Sequence, residues 1–136
     1  MNRRIGALVG LLVALPCLAA QALPATLSVD EARQLVDKAL PAETKRLPGL
    51  DLEVQDKKAN VAQCWTFEVL WANSGEGSAH VGFWAVDRRT GDVWQPTSCT
   101  RVTGRDVGRA GEAVRKRLGV SGRELSESRA RPVCCP

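Results

Sequence analysis

The first strong pattern along the chain is an amphipathic helix that begins at Ser28. Apolar side chains then recur at helical spacing, at Val29, Ala32, Leu35, Val36, Ala39 and Leu40. Ser28 and Glu31 have the spacing of a capping box, in which each side chain bonds the backbone of the other residue. Pro41 cannot continue a helix. The pattern therefore predicts a helix over residues 28–40.

The middle of the chain changes from helical spacing to runs of β-forming residues. A short alternation at 50–56 predicts an edge strand, and longer runs at 64–72 and 79–86 predict two more. Residues 87–92 then form a turn before a short fourth run at 93–95. Gly91 suits a left-handed position in this turn, because glycine has no Cβ to clash. An antiparallel sheet of three to four strands follows.

Alternation along the strands predicts which face of the sheet is buried. One face of the first long strand carries Trp65, Phe67, Val69 and Trp71, and the other carries Cys64, Thr66, Glu68 and Leu70. If the loop pairs Ala72 with Ala79, Trp84 lies opposite Phe67, Val86 opposite Trp65 and His80 opposite Trp71. We expect the first helix to cover the aromatic face. Trp94 faces the opposite side if the turn is regular, and the covered side if Gly91 forms a bulge.

A second amphipathic helix is predicted near the C-terminus. Thr103-Gly-Arg-Asp106 is a candidate cap, apolar side chains follow at helical spacing from Val107 to Leu118, and Gly119 ends the run. Residues 121–128 suit a further short helix, and residues 129–136 read as a loose tail. The fold class is α+β, with an antiparallel sheet packed against an N-terminal helix and followed by a C-terminal helix.

The first 22 residues have the pattern of an export signal. Arg3 and Arg4 precede an apolar run, and Ala20-Gln21-Ala22 has the small residues that signal peptidase recognises. We predict cleavage after Ala22, a single domain over 23–128 and a tail over 129–136. The mature protein is then periplasmic or secreted. The apolar run is short for a membrane span, so we expect no stable membrane insertion after cleavage.

Four cysteines remain after this cleavage: Cys64, Cys99, Cys134 and Cys135. An even number of cysteines in an exported chain indicates disulfides. Three pairings are open, and Cys64–Cys99 is slightly favoured. The spacing matches neither a metal site nor a CxxC redox motif.

The small net charge of the chain argues against nucleic acid as a partner. Without the signal, 17 basic residues face 15 acidic ones, too small an excess to indicate nucleic acid. The excess is uneven, because residues 23–100 carry a net charge of −3 and residues 101–136 a net charge of +5. The basic segment could bind an acidic partner or anionic envelope polymers, but a solvated helix face explains it more simply.

Candidate catalytic groups are few. The single histidine, His80, reads as a half-buried strand residue, since a Cys–His pair would need a free thiol. The carboxylates Asp51, Glu53, Asp56, Glu68, Asp87 and Asp92 could serve a glycosidase only if two of them faced one cleft. Asp87 and Asp92 flank a turn, where Asp commonly bonds the local backbone. We therefore expect no catalytic, cofactor or metal site.

Tryptophan is the remaining functional signal, because it is enriched at the centres of protein interfaces. Trp94 and Trp71 are candidate anchors for a partner if they lie on the open face, with Arg88 and Arg89 of the turn as further candidates. The alternative is that all four tryptophans belong to the core.

The segment Phe83-Trp-Ala-Val-Asp-Arg-Arg-Thr-Gly-Asp-Val-Trp94 resembles the strand–turn–strand of PepSY-type exported domains, in which an aromatic strand enters a D-x-x-T-G-x-V turn. The helix with the run VDEARQLVDKAL is similar to the helix that packs on that sheet. The resemblance covers about residues 28–95. It implies a small α+β domain that acts by binding, often proposed to inhibit secreted peptidases, and it supplies no catalytic residue.

These observations favour a non-enzymatic periplasmic binding protein with a protein partner in the envelope. Its role would be to inhibit or neutralise an envelope-acting hydrolase or peptidase, in the manner of an immunity protein. Two alternatives are a small secreted hydrolase that uses His80 or the carboxylates, and an envelope module that has a structural role or carries a ligand.

Overall fold

The structure is a computed structural model, and it describes residues 25–55, 63–72, 75, 77 and 79–135. The predicted signal peptide and Asp56 lie outside the described residues. None of the helices in the described part of the chain has the length and hydropathy needed to span a membrane.

Four helices and five strands make up the described chain. In chain order they are α1 (Val29–Ala39), α2 (Ala42–Lys45), β1 (Leu50–Val54), β2 (Cys64–Trp71), β3 (Ala79–Asp87), β4 (Val93–Gln95), β5 (Thr100–Arg101), α3 (Arg105–Leu118) and α4 (Gly122–Ala130). The strands form one antiparallel sheet in the order β1-β2-β3-β4-β5. The α+β prediction is confirmed. The fifth strand, β5, has two residues and no sequence pattern of its own.

Helix α1 begins and ends as the sequence predicts. The side chain of Ser28 accepts from the amide of Glu31, and the Glu31 carboxylate accepts from the amide of Ser28. The inner side of the helix carries Ala32, Leu35 and Val36, which are all buried. They pack on the aromatic face of the sheet in one core that also includes residues of α3. Burying each large side chain there contributes about 2 kcal/mol.

The predicted register of the two long strands is confirmed over most of their length. Phe67 lies opposite Trp84 and Trp65 opposite Val86. The prediction is wrong at the far end, where a bulge shifts the pairing by one residue. His80 therefore lies opposite Leu70 instead of Trp71, and Trp71 pairs with Ala79.

The turn from β3 to β4 is held by backbone hydrogen bonds that Asp87 completes. Oδ1 of Asp87 accepts from the amides of Arg89 and Thr90, and Gly91 has φ of +69°. Both features agree with the sequence interpretation. The regular turn places Trp94 on the face away from α1, where it is nevertheless only 5% exposed.

The start of α3 differs from the prediction. Thr103 does not cap it, because Gly104 occupies the N-cap position and no side chain there bonds the first turn. The helix ends at a left-handed Gly119, as expected. The further helix α4 is also present, and Ser121 caps it by accepting from the amide of Glu124.

The disulfides show that two predictions are wrong, the favoured pairing of the cysteines and the loose tail. Cys64 bonds Cys134, with Cα atoms 5.7 Å apart, and Cys99 bonds Cys135, with Cα atoms 5.4 Å apart. The favoured Cys64–Cys99 pairing is therefore wrong. Cys64 points to the sheet face away from α1, and the tail crosses that face. The two adjacent cysteines of the tail therefore bond different partners, Cys134 with Cys64 and Cys135 with Cys99. The tail is not loose, because Cys134 is buried against Ala85 and Trp94. Arg129, where the predicted tail began, belongs to α4.

Candidate partner-binding surface

The tail covers only part of the sheet face that points away from α1. It packs where Cys64, Ala85 and Trp94 lie. The remainder, which we call the open sheet face, is formed by residues on β1, β2 and β3: Asp51, Glu53, Glu68, Leu70, His80 and Phe83. Asp51 lies opposite Leu70, Glu53 opposite Glu68, and Glu68 opposite Phe83. The open sheet face thus spans three neighbouring strands.

An exposed aromatic ring lies at one side of this face. Phe83 is the large hydrophobic residue that the described chain leaves most open, at 36% exposure. Its ring lies 4.8 Å from the ring of His80, in a tilted arrangement. Exposed aromatic side chains of this kind are common anchors in protein interfaces.

The charge of the open sheet face is negative. Its six residues include three carboxylates and neither Lys nor Arg. Glu53 and Glu68 are directly opposite across β1 and β2, an arrangement that repulsion makes unfavourable in isolation. Glu68 is held by two neighbours, since its carboxylate accepts from Gln55 Nε2 at 2.7 Å and lies 3.0 Å from His80 Nδ1. The face is therefore an acidic surface beside an aromatic ring, and Glu68 is the carboxylate that its neighbours hold in place.

The residues predicted to bind a partner do not lie on this surface. Trp94 is buried, so it offers no surface to a partner. Trp71 is half-buried at the end of β2. Arg88 stacks over the ring of Trp65, with its guanidinium carbon 4.5 Å from the ring centroid.

Arg89 connects the β3–β4 turn to other parts of the fold. It bonds the Glu124 carboxylate with an Nε–Oε1 distance of 2.5 Å, and it donates to the backbone carbonyls of Leu118 and Ala25. The bond from Arg89 lowers the pKa of Glu124 below its usual value. A hydrogen bond from the Ser28 amide likewise lowers the pKa of Glu31. The contacts of Arg89 thus explain its place in the turn without a partner.

A second group of charges surrounds Asp92, at the start of β4. Arg129 donates to its carboxylate from Nε at 2.7 Å and from Nη2 at 3.0 Å, and Arg115 donates from Nη1 at 3.3 Å. The bond to Asp92 raises the pKa of Arg129. Asp87 is equally buried, and its second oxygen accepts from Ser128 at 2.6 Å. These two carboxylates join the β3–β4 turn to α3 and α4.

The described side chains do not assemble a hydrolytic centre around His80. The imidazole contacts Glu68 and Phe83. All four cysteines of the described residues are in disulfides, so none of them supplies a thiol nucleophile. Within the described ranges, no group of three His, Cys, Asp or Glu side chains is arranged to hold a metal ion.

Sequence reasoning placed Glu68 on the correct face but missed Phe83 as its exposed partner. The signal was present, because Phe83 alternates with the buried Trp84 and must therefore point to the other side.

Comparison with known proteins gives a match of fold. Neither a protein-family model nor a curated protein matches the sequence. A chain in the structure of a type VI secretion system effector–immunity complex from Pseudomonas protegens matches with a TM-score of 0.62 and 24% identity. The match covers 77% of this chain and 88% of that one. At this identity it shows a shared fold.

Proposed function

We propose that this protein is an immunity-type binding protein that neutralises a toxic effector in the cell envelope. The observation that carries the proposal is the shared fold with a chain of an effector–immunity complex, over most of both chains. The immunity role, and not the effector role, is favoured by the contacts of His80 and by the oxidised cysteines, which leave His80 without a thiol partner in the described residues.

The compartment fits this role. Two disulfides need an oxidising space, and the predicted signal peptide would deliver the chain to the periplasm. An effector that attacks the cell wall or the periplasm must be neutralised there. The resemblance of residues 83–94 to PepSY-type domains supports the same class of action, inhibition by binding.

The open sheet face is the surface that we assign to the effector. Phe83 supplies an apolar anchor, and the three carboxylates beside it favour a basic surface on the partner. We infer that the effector presents Lys or Arg side chains around an apolar recess, which is the complement of this face.

The test begins in the native cell, with a photo-crosslinking amino acid in place of Phe83 to capture the partner. The captured protein is then directed to the periplasm of a laboratory host, alone or together with this chain. We expect the partner to stop growth and the intact chain to restore it. Two results would contradict the proposal: a captured partner that is harmless in the periplasm, or a toxic one that this chain does not restrain.

A further inference from the structure

Three arginines from three different elements converge on one carboxylate. Arg101 comes from β5, Arg115 from α3 and Arg129 from α4, and all three have a nitrogen within 4.0 Å of an Asp92 oxygen. Asp92 is 5% exposed. The four residues line one cavity of about 130 Å³, which we call the arginine cavity.

The charges in the arginine cavity do not balance. Three guanidinium groups and one carboxylate leave an excess of two positive charges among the titratable residues that line it. The remaining lining includes Thr103, Gly104 and Val107, at the start of α3. This helix end has no side-chain cap, but Asp106 in its first turn offsets its partial positive charge, so the excess in the cavity comes from the arginines.

Asp92 forms hydrogen bonds with only two of the three arginines. Arg129 bonds both of its oxygens, and Arg115 shares one of them while also donating to the Thr90 carbonyl at 3.2 Å. Arg101 Nη1 lies 4.0 Å from the nearest Asp92 oxygen, beyond hydrogen-bonding distance. Its side chain is 34% exposed. Arg101 therefore lies at the cavity within ion-pair distance of Asp92, but it makes no hydrogen bond to that carboxylate.

We propose that the arginine cavity binds a second carboxylate, held chiefly by Arg101. The planar fork of a guanidinium group matches the two oxygens of a carboxylate, and such charge-assisted bonds are among the strongest polar contacts in proteins. The volume of the arginine cavity suits a group the size of a few water molecules, since one water molecule occupies about 30 Å³ in the liquid. A carboxylate group is of this size. The carboxylate could belong to a free small acid or to an acidic side chain of a polypeptide. This inference does not depend on the proposed function.

The test is an NMR titration of the folded chain that follows the Nε–Hε signals of the arginines. Sodium acetate serves as the free carboxylate and acetyl-aspartyl-amide as the polypeptide side chain, each exchanged for chloride at constant ionic strength. We expect saturable shifts at Arg101, with millimolar affinity. Arg101→Gln should weaken binding about tenfold, since it removes a charged hydrogen bond. Arg101→Lys keeps the charge but not the fork, and should weaken it less.

The matched control is Arg109→Gln, which changes an exposed arginine of α3 outside the cavity lining. It should leave the affinity unchanged. Tighter binding of acetyl-aspartyl-amide would assign the site to a polypeptide, and tighter binding of acetate to a free acid; either supports the proposal. Shifts that are linear, or equal in Arg101→Gln and the intact chain, would overturn it. So would saturation by phosphate without saturation by acetate.

Discussion

Removing the disulfide between Cys64 and Cys134 should cost the fold more than removing the one between Cys99 and Cys135. The sequence separations are 70 and 36 residues, which by themselves suggest a difference. However, the two bonds share a loop because Cys134 and Cys135 are adjacent. When the other disulfide is intact, the shortest covalent path between the two cysteines of either pair is about 36 residues long. This path runs along the chain between Cys64 and Cys99, crosses the intact disulfide and includes one further residue of the tail. The chain-entropy model gives about 4 kcal/mol for a loop of that size.

Burial then separates the two pairs. Cys64 is 2% exposed and Cys134 is 7% exposed, and both pack against Trp94. Cys99 is exposed. Alanine at both positions of the buried pair removes the cross-link and also removes packing contacts. The lost packing alone costs about 1–2 kcal/mol for the two residues together. The double variant Cys64→Ala/Cys134→Ala should therefore lose about 5–6 kcal/mol, and Cys99→Ala/Cys135→Ala about 4 kcal/mol.

Urea unfolding without reductant, followed by far-ultraviolet circular dichroism, measures both losses. A single small domain typically has a total unfolding free energy of about 5–15 kcal/mol, so the buried-pair variant should be near the limit of folding. Equal losses for the two double variants would refute the reasoning from burial. A loss below about 1 kcal/mol for either would refute the cross-linked tail itself.

Three further predictions concern the joins between the sheet and the helices. Gly111→Ala should lower the unfolding free energy by about 1 kcal/mol in urea unfolding. Its Cβ would lie 3.0 Å from Arg115 Nη1 and disturb the bonds to Asp92, a loss of about 2 kcal/mol that exceeds the gain in helix propensity of about 0.5–1 kcal/mol. Gly108→Ala on the same helix meets nothing within 4 Å and should raise it by about 0.5–1 kcal/mol, so a loss at both positions would contradict this contact. The folded pKa of Glu124 is lowered, so its contribution is present above the unfolded pKa near 4.5 and is lost as pH falls through the folded value. Glu124→Gln should therefore flatten the fall in unfolding free energy below about pH 4.5 in acid titration, and an unchanged slope would contradict the Arg89 bond. Asp87→Ala should lower the unfolding free energy by about 2–3 kcal/mol, measured by thermal unfolding, because two turn amides and a hydroxyl lose their acceptor. A loss below about 0.5 kcal/mol would count against these hydrogen bonds.

Local patterns were sufficient to predict the elements that local physics determines. The capping box at Ser28, the left-handed Gly91 and the Phe67–Trp84 register all depend on residues close in sequence or on alternation along a strand. The bulge at Leu70 was missed although Gly82 lies beside it in β3, and a glycine inside a strand often marks such an interruption.

The tail and the charge network could not be read in the same way. The Cys64–Cys134 bond joins residues 70 positions apart, and four cysteines allow three pairings that spacing does not separate. Burial of Trp94 follows from that bond, since the tail covers the face on which Trp94 lies. The convergence of Arg101, Arg115 and Arg129 on Asp92 likewise needs three elements to be placed in space first.

The proposed function depends on the acidic open sheet face. Its direct test is the affinity of the purified chain for the effector captured through position 83, measured by isothermal titration calorimetry. Glu53→Lys reverses a charge on this face, whereas Glu112→Lys reverses an exposed charge on α3 and serves as the matched control. We predict that Glu53→Lys weakens binding at least about tenfold, because like charges then oppose the basic partner. Glu112→Lys should change it less than about twofold, since rim and distant charges contribute little. Equal affinities for the two variants would contradict the assignment of this face.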